Sequence, residues 1–428
     1  MYINGTILKA GRVVDPLRKI DRIMDIAFAE GKIVAPEDIQ QPEVIDCSGK
    51  IVAPGFIDLH VHLRSPGNSA AETIASGTMA AAAGGFTAIV AMPNTKPAAD
   101  TTGTIELIRS MVEESGVVKV HLSGCMTTRY EGEEMTSIGS LKAAGVVALT
   151  DDGRCVQNHE LMRHIVEYAK SFQLPILDHC EDISLMAEGV MHEGVWSVLL
   201  GMKGISSAAE ELIVARDIML SRMTDWKIHL QHISTTESVD QVRQAKKRGF
   251  KVSAEATPHH MALTDECIKR FDTNYKMNPP LRSEADRQSI IAGLADGTIT
   301  VIATDHAPHT MTAKLVEFDD APFGIIGLET AVPITLGILY HSGVLSPLDY
   351  VAKFTTGPAE ILGFENYSLA NGNAADITII DPDLEYTVNA DEFKSKSRNT
   401  PFNGERYRGR AVGTIVDGKL VYELGLIK

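Results

Sequence analysis

Cysteine is scarce in this chain: Cys47, Cys125, Cys155, Cys180 and Cys267 are the five among 428 residues. Their number is odd, their spacing wide, and no Cys-x-x-Cys occurs, which points away from a disulfide framework and from a thiolate zinc site. No stretch approaches about 18 uninterrupted apolar residues, so no membrane span is expected. Met1 to Gly11 lacks a basic cluster followed by an apolar run, so no secretory signal is expected, and a reducing cytoplasm is the expected compartment. Positive charge is also short. Forty Lys and Arg stand against 56 Asp and Glu, a net charge of −16, which argues against a nucleic-acid surface or an anionic membrane face. Fixed-period repeats and low-complexity segments are absent.

What the chain does have is apolar material for a large core, 44% of its residues. Residues 1–53 read as short strands broken by turns, with Tyr2-Ile3, Gly5–Leu8, Ile26–Phe28 and Lys50–Val52 as examples and Asn4-Gly5 and Glu30-Gly31 as turn signals. Over residues 54–365 short apolar runs alternate with helical patterns. Strands are expected at Phe56–Leu63, Thr87–Met92, Val118–Gly124, Val146–Thr150, Pro175–His179, Lys227–Ile233, Lys251–Ala256 and Thr300–Thr304. A helix is expected over Ser206–Met223, with Leu212, Ile213, Ala215, Ile218, Met219 and Met223 on one side. Ser234 to Glu237 reads as a capping box opening another. Eight such units fit a (β/α)₈ TIM-type barrel. A doubly wound sheet fits less well, because no Gly-x-Gly-x-x-Gly turn occurs. Residues 366–428 return to β texture, at Ala375–Ile380 and at Thr414–Tyr422 with an Asp417-Gly418 hairpin turn. The expected fold is therefore α/β: a barrel beside a small β-sandwich domain formed from both chain ends.

In a barrel, function gathers where the strands end. The first strand carries Asp58, His60 and His62 on one face by simple alternation, with the two imidazoles about 7 Å apart along the strand. The fourth ends in Asp151-Asp152, which point to opposite faces, so one of them serves. The fifth ends in His179, the sixth in His232 and the eighth in Asp305. Imidazoles and carboxylates from five strands thus converge on one rim, a donor set suited to zinc or a similar divalent ion. His229 reads as core or as support behind the ligands. His306 and His309 follow the last strand on a loop. His121, His159, His164, His192 and His341 read as structural.

Several blocks carry a more specific likeness. They are Pro54–Arg64, Ala91–Thr95, Thr150–Gly153, Asp178–Asp182, Glu255–His260, Lys276–Arg282, Thr304–His309 and Ala321–Ile325. Together they make the chain resemble the class I dihydroorotases of the amidohydrolase superfamily over nearly its whole length. Two departures stand out. Asp152 occupies the place where many relatives carry a bridging carbamylated lysine, and Ser65 stands where the family has an acidic residue.

The resemblance implies reversible hydrolysis of the cyclic amide dihydroorotate to N-carbamoyl-L-aspartate, a step of pyrimidine synthesis, with one or two divalent ions, zinc first. It implies His60, His62, Asp152, His179, His232 and Asp305 as metal ligands, and Asp305 as general base. Arg64 suits a substrate carboxylate because its planar fork matches one. By resemblance Asn94 and His309 complete that clamp, Asn278 and the Phe323-Gly324 backbone hold the ring amides, and His62 also contacts substrate. The segment from Thr310 to Phe323 is expected to act as a lid. A homodimer and a possible aspartate transcarbamoylase partner are implied as well. The rival readings are another cyclic amidohydrolase, such as a hydantoinase or allantoinase, and a non-catalytic homologue that scaffolds the transcarbamoylase.

Overall fold

The alternating apolar runs and helices build a barrel of eight parallel strands in the computed structural model, which describes residues 4–424; the expected Tyr2-Ile3 strand lies outside the described residues. The strands are Phe56–Val61, Phe86–Ala91, Lys119–Gly124, Ala148–Leu149, Ile176–Asp178, Ile228–Leu230, Val252–Ala256 and Val301–Ile302. They pair in chain order. A parallel bridge between Val61 and His306 joins the two ends, with the His62 amide donating to the His306 carbonyl at 2.9 Å. All eight expected strands are present. Most stop short of the expected end, because the rim residues turn into loops. His179 and His232 both lie just past their strands, and His232 and Asp305 take left-handed backbone, at φ 31° and 46°.

Alternate residues inside the barrel pack as one cluster that includes Ile57, Leu59, Ala88, Val90, Leu177 and Val301. The other faces of the strands meet the helices through Phe56, Ile89, Ile176, Ile228, Leu230 and Ile302. Strict alternation fails in the first strand. Its register against the second is irregular between Phe56 and Ile57 and again between Asp58 and Val61. Asp58 is turned to backbone, with Oδ1 accepting from the His60 and Thr304 amides at 3.0 and 3.1 Å.

Two helical expectations shift. The helix runs Ala208–Thr224, but Leu212, Met219 and Met223 are exposed, whereas Glu210, Arg216 and Asp217 are buried with Ile213, Val214 and Leu220. The buried face is partly charged, so an apolar stripe misreads it. The next helix starts one residue later than expected. Thr235 is its N-cap and accepts from the Ser238 amide, while Ser234 is held by the buried Glu210 carboxylate.

Strands from both chain ends form one eight-stranded sheet. It wraps an apolar cluster of its own, with Leu8, Val13, Phe28, Ile33, Ile377 and Ile415. Ile51–Pro54 pairs with Ile377–Thr387 and joins the two ends of the chain. Asp417 and Gly418 close the last hairpin with φ 46° and 73°, as the tight turn requires. After this sheet's Ile377–Thr387 strand, the chain returns to the barrel rim. Asn399 donates from Nδ2 to the carbonyls of Ala307 and Gly324, both at 3.0 Å.

Candidate metal centre and substrate pocket

Local geometry sends one of each paired candidate to the mouth. Asp151 turns away and accepts from the Met126 and Thr127 amides at 2.7 and 3.2 Å. Asp152 meets the histidines: its Oδ1 lies 3.2 Å from His60 Nε2, 3.6 Å from His179 Nδ1 and 3.6 Å from His232 Nε2. Its Oδ2 lies 3.4 Å from His62 Nε2. Asp305 Oδ1 stands 3.0 Å from His62 Nε2 and 3.4 Å from His60 Nε2. All six sequence candidates therefore come together, and all are buried.

The donor atoms fall into overlapping groups: His60, His62 and Asp152; Asp152, His179 and His232; His60, His232 and Asp305. A metal fits this set on three counts. His60 Nε2, which faces the donor set, is buried without a hydrogen-bond partner. His179 Nδ1 faces His232 Nε2 at 2.9 Å, two imidazole nitrogens competing for one position. Three of the four rings also have an oxygen behind them: Glu255 at 3.0 Å from His60 Nδ1, Asn94 Oδ1 at 3.0 Å from His62 Nδ1, and Glu181 at 3.5 Å from His179 Nε2. Such outer partners fix the tautomer that leaves the other nitrogen free for a metal.

Charge follows the same arrangement. Burial opposes protonation of His60 and His179, but the surrounding carboxylates, Asp152 foremost, overcome it; His60 rises well above the usual range and His179 to about 10. Burial would raise Asp305, yet the charge of His60 and the hydrogen bond from His62 hold it far below the usual carboxylate range. Glu255 is likewise pushed up by burial and pulled down to about 2 by His229 and His60. Divalent cations bind the same lone pairs these protons occupy, so metal and proton compete here.

Beside the donors lies a cavity of about 360 Å³, lined by every expected substrate residue: His62, Arg64, Asn94, Asn278, His309, Phe323 and Gly324. Arg64 donates from Nε to the Pro308 carbonyl at 3.2 Å, and no carboxylate lies within ion-pair distance of it among the described residues. His309 Nε2 donates to the Phe323 carbonyl at 2.7 Å, so the Arg64 Nη2 only 3.4 Å away finds no acceptor there. Burial and Arg64 together push His309 down to about 3, keeping it neutral. Asn278 donates to Glu181 at 3.3 Å while its Oδ1 is buried and unpartnered. Gly324, at φ +149°, lies so close to His309 that a Cβ would sit 2.8 Å from the ring. Ser65 leaves Arg64 in place; it is buried, with its hydroxyl 3.4 Å from that of Ser69.

The expected lid carries a short helix, Met311–Lys314, and is fastened to its surroundings. Lys314 is buried and donates to the carbonyls of Thr273 and Pro322 at 2.9 and 2.8 Å. His306 pairs with the buried Glu72 at 3.2 Å and points away from the pocket's polar set. Sequence reasoning missed Glu255, Glu181 and Asn399. Glu255 and Asn399 act through partners far away in the chain, whereas Glu181 stands two residues from His179, and only the Glu255 and Glu181 blocks carried a hint.

A family model described as Dihydro-orotase-like matches residues 49–238, and one described as Amidohydrolase family matches residues 222–422. A dihydroorotase of Pelotomaculum thermopropionicum is 49% identical over 425 residues, covering 99% of each chain. The chain belongs to the dihydroorotase family. A second member, the dihydroorotase of Pelobacter propionicus, is 46% identical over 97% of this chain and 99% of its own. Among solved structures the L-hydantoinase of Arthrobacter aurescens matches with a TM-score of 0.88 at 24% identity, over 100% of this chain and 98% of that one. That likeness carries the barrel architecture, while the family is set by the dihydroorotase sequences.

Proposed function

We propose that this chain is a dihydroorotase: a metal-dependent hydrolase that opens the cyclic amide of (S)-dihydroorotate to N-carbamoyl-L-aspartate, reversibly, in pyrimidine synthesis in the cytoplasm. The observation that carries the reading is Arg64, a half-buried guanidinium without a carboxylate in ion-pair range among the described residues, lining the same cavity as His62, Asp152, His179, His232 and Asp305. An unpaired cation drawn partly out of water calls for an anion. A cyclic amide bearing a carboxylate supplies it, and neutral hydantoin or allantoin does not.

His60, His62, Asp152, His179, His232 and Asp305 would hold one or two zinc ions, with Asp152 common to two of the donor groups. When bound, a divalent cation polarises the amide carbonyl and makes water acidic enough to attack near neutral pH. Arg64, with Asn94 and His309 beside it, binds the carboxylate and sets the ring's orientation. The unpartnered Asn278 Oδ1 accepts from a ring N–H, and the Phe323-Gly324 backbone meets the other ring amide. Asp305 takes the proton of the attacking water and returns it to the leaving nitrogen, as a general base and then acid. The loop fastened by Lys314 keeps bulk water from the pocket.

The test is a side-by-side assay of the purified chain on dihydroorotate, hydantoin and allantoin. Turnover of dihydroorotate is expected to dominate, and inertness toward it would remove the reading. The exposed Val195, Val198 and Leu199 of the helix Val195–Leu200 support a homodimer as the working state. Light scattering of the active chain tests that, and activity without aspartate transcarbamoylase would show that such a partner is dispensable.

A further inference from the structure

Glu255 sits on the seventh barrel strand, which supplies none of the six donors, and is fully buried. Each of its oxygens is engaged. Oε1 lies 3.0 Å from His60 Nδ1 and accepts from the His232 amide at 3.3 Å. Oε2 lies 3.0 Å from His229 Nε2, and His229 Nδ1 lies 2.8 Å from the Ser253 hydroxyl.

The proton directions follow from the chemistry. For His60 to offer Nε2 as a lone pair, its proton must sit on Nδ1. Two groups are in reach of Nδ1: the Glu255 carboxylate and Gln231 Nε2 at 3.1 Å. The amide nitrogen is itself a donor, so only Glu255 can accept. Behind Glu255, His229 donates from Nε2, and its Nδ1 therefore accepts from Ser253. The contact to His232 has a different character. His232 holds φ 31°, a left-handed conformation that is unfavourable for a residue with a Cβ. A charge-assisted bond to its amide holds that turn.

We propose that Glu255 is a positioning residue of the metal centre, fixing the tautomer and ring plane of His60 and the backbone turn of His232, with His229 and Ser253 bracing it from below. The inference rests on the reading of His60 and His232 as metal ligands. It gives His229 a part in the site and explains why a carboxylate lies buried within the barrel.

The test measures metal affinity directly, by titrating Zn²⁺ and Co²⁺ into metal-stripped protein against a chelating dye. Loss of such an outer partner weakens binding on the order of 10–100-fold. Glu255→Gln is expected to show that loss, an altered Co²⁺ absorption spectrum, and a fall in kcat with KM for dihydroorotate little changed. His229→Gln keeps an N–H toward Glu255 and is expected to stay within a few-fold of the parent, whereas His229→Leu falls with Glu255→Gln. Parental affinity and spectrum in Glu255→Gln would overturn the proposal. Should Glu255→Gln fail to fold, the two His229 variants decide, and equal affinities in both would overturn it. His60→Ala separates the two readings. If it binds metal as the parent does, the ligand assignment itself fails; if it loses metal while Glu255→Gln does not, only the positioning role fails.

Discussion

Asp178 and His179 are neighbours at the end of one strand, yet they belong to two different buried clusters. Asp178 meets Arg216 at 2.7 Å, and Arg216 meets Asp217 at 2.8 Å, with both carboxylates fully buried. Cys180 lies close enough to both acids that Asp178, Cys180 and Asp217 form a donor group as tight as those at the rim. His179 turns the other way, to Asp152 and the imidazoles. The first cluster carries its own permanent cation. The second has carboxylates and titratable rings, and no lysine or arginine within ion-pair range of Asp152 or Asp305 among the described residues. Proximity of ligand atoms is therefore not what marks a metal centre. What marks it is buried negative charge that the chain leaves to be balanced by something else.

That contrast can be broken most sharply at Asp152. Asp152→Ala is expected to cut turnover on the order of 10³-fold, the scale of losing a preorganised electrostatic group. It should also abolish the drop in melting temperature that a chelator causes in the parent; an active, chelator-sensitive variant would end the distinction. Arg216→Met strands two buried acids and is expected to cost about 3–5 kcal/mol in denaturant unfolding. Its folded fraction should still bind the parental amount of zinc, and loss of zinc there would merge the two clusters into one. Arg64→Lys keeps the charge but loses the fork. The expected result is a 10–100-fold rise in KM for dihydroorotate, from about 1.5–3 kcal/mol of charged hydrogen bonding, with kcat changing less.

The smallest effect concerns a third carboxylate, Glu329, which has no arginine or imidazole within ion-pair range among the described residues, Arg410 acting on it only from farther away. Burial pushes it up to about 7, and the amides of Lys394 and Ser395 at 2.8 and 3.1 Å do not offset this. The unfolded chain releases that proton near 4.5, so the folded state holds more protons between the two values. Stability should therefore fall as pH climbs from about 4.5 to about 7. Glu329→Gln, which keeps the acceptor oxygen, should flatten that slope in thermal melts taken at pH 5 and pH 8. An unchanged slope would show that Glu329 ionises freely.

The barrel was readable because eight apolar runs recur with helices between them, and the rim because His60, Asp152, His179, His232 and Asp305 each follow such a run. Three things escaped. Alternation placed Asp58 with the histidines, but an irregular register turns it to the His60 and Thr304 amides. The Ala208–Thr224 helix buries Glu210, Arg216 and Asp217, so hydropathy selected its solvent side. Glu255 and Asn399 depend on partners such as His60 and Gly324, separated by 195 and 75 positions. Local patterns carry no trace of pairings so distant.

The grip of Asn399 on Ala307 and Gly324 has a consequence for how the molecule comes into being. A nascent chain emerging from the ribosome can wind its eight strands long before residue 399 appears. The loops that carry Ala307 and Gly324, however, stay unbraced until more than nine-tenths of translation is over. Premature termination just before that point would remove Asn399 together with the strands Arg406–Val416 and Lys419–Glu423, leaving the cylinder with a slack mouth and a depleted end sheet.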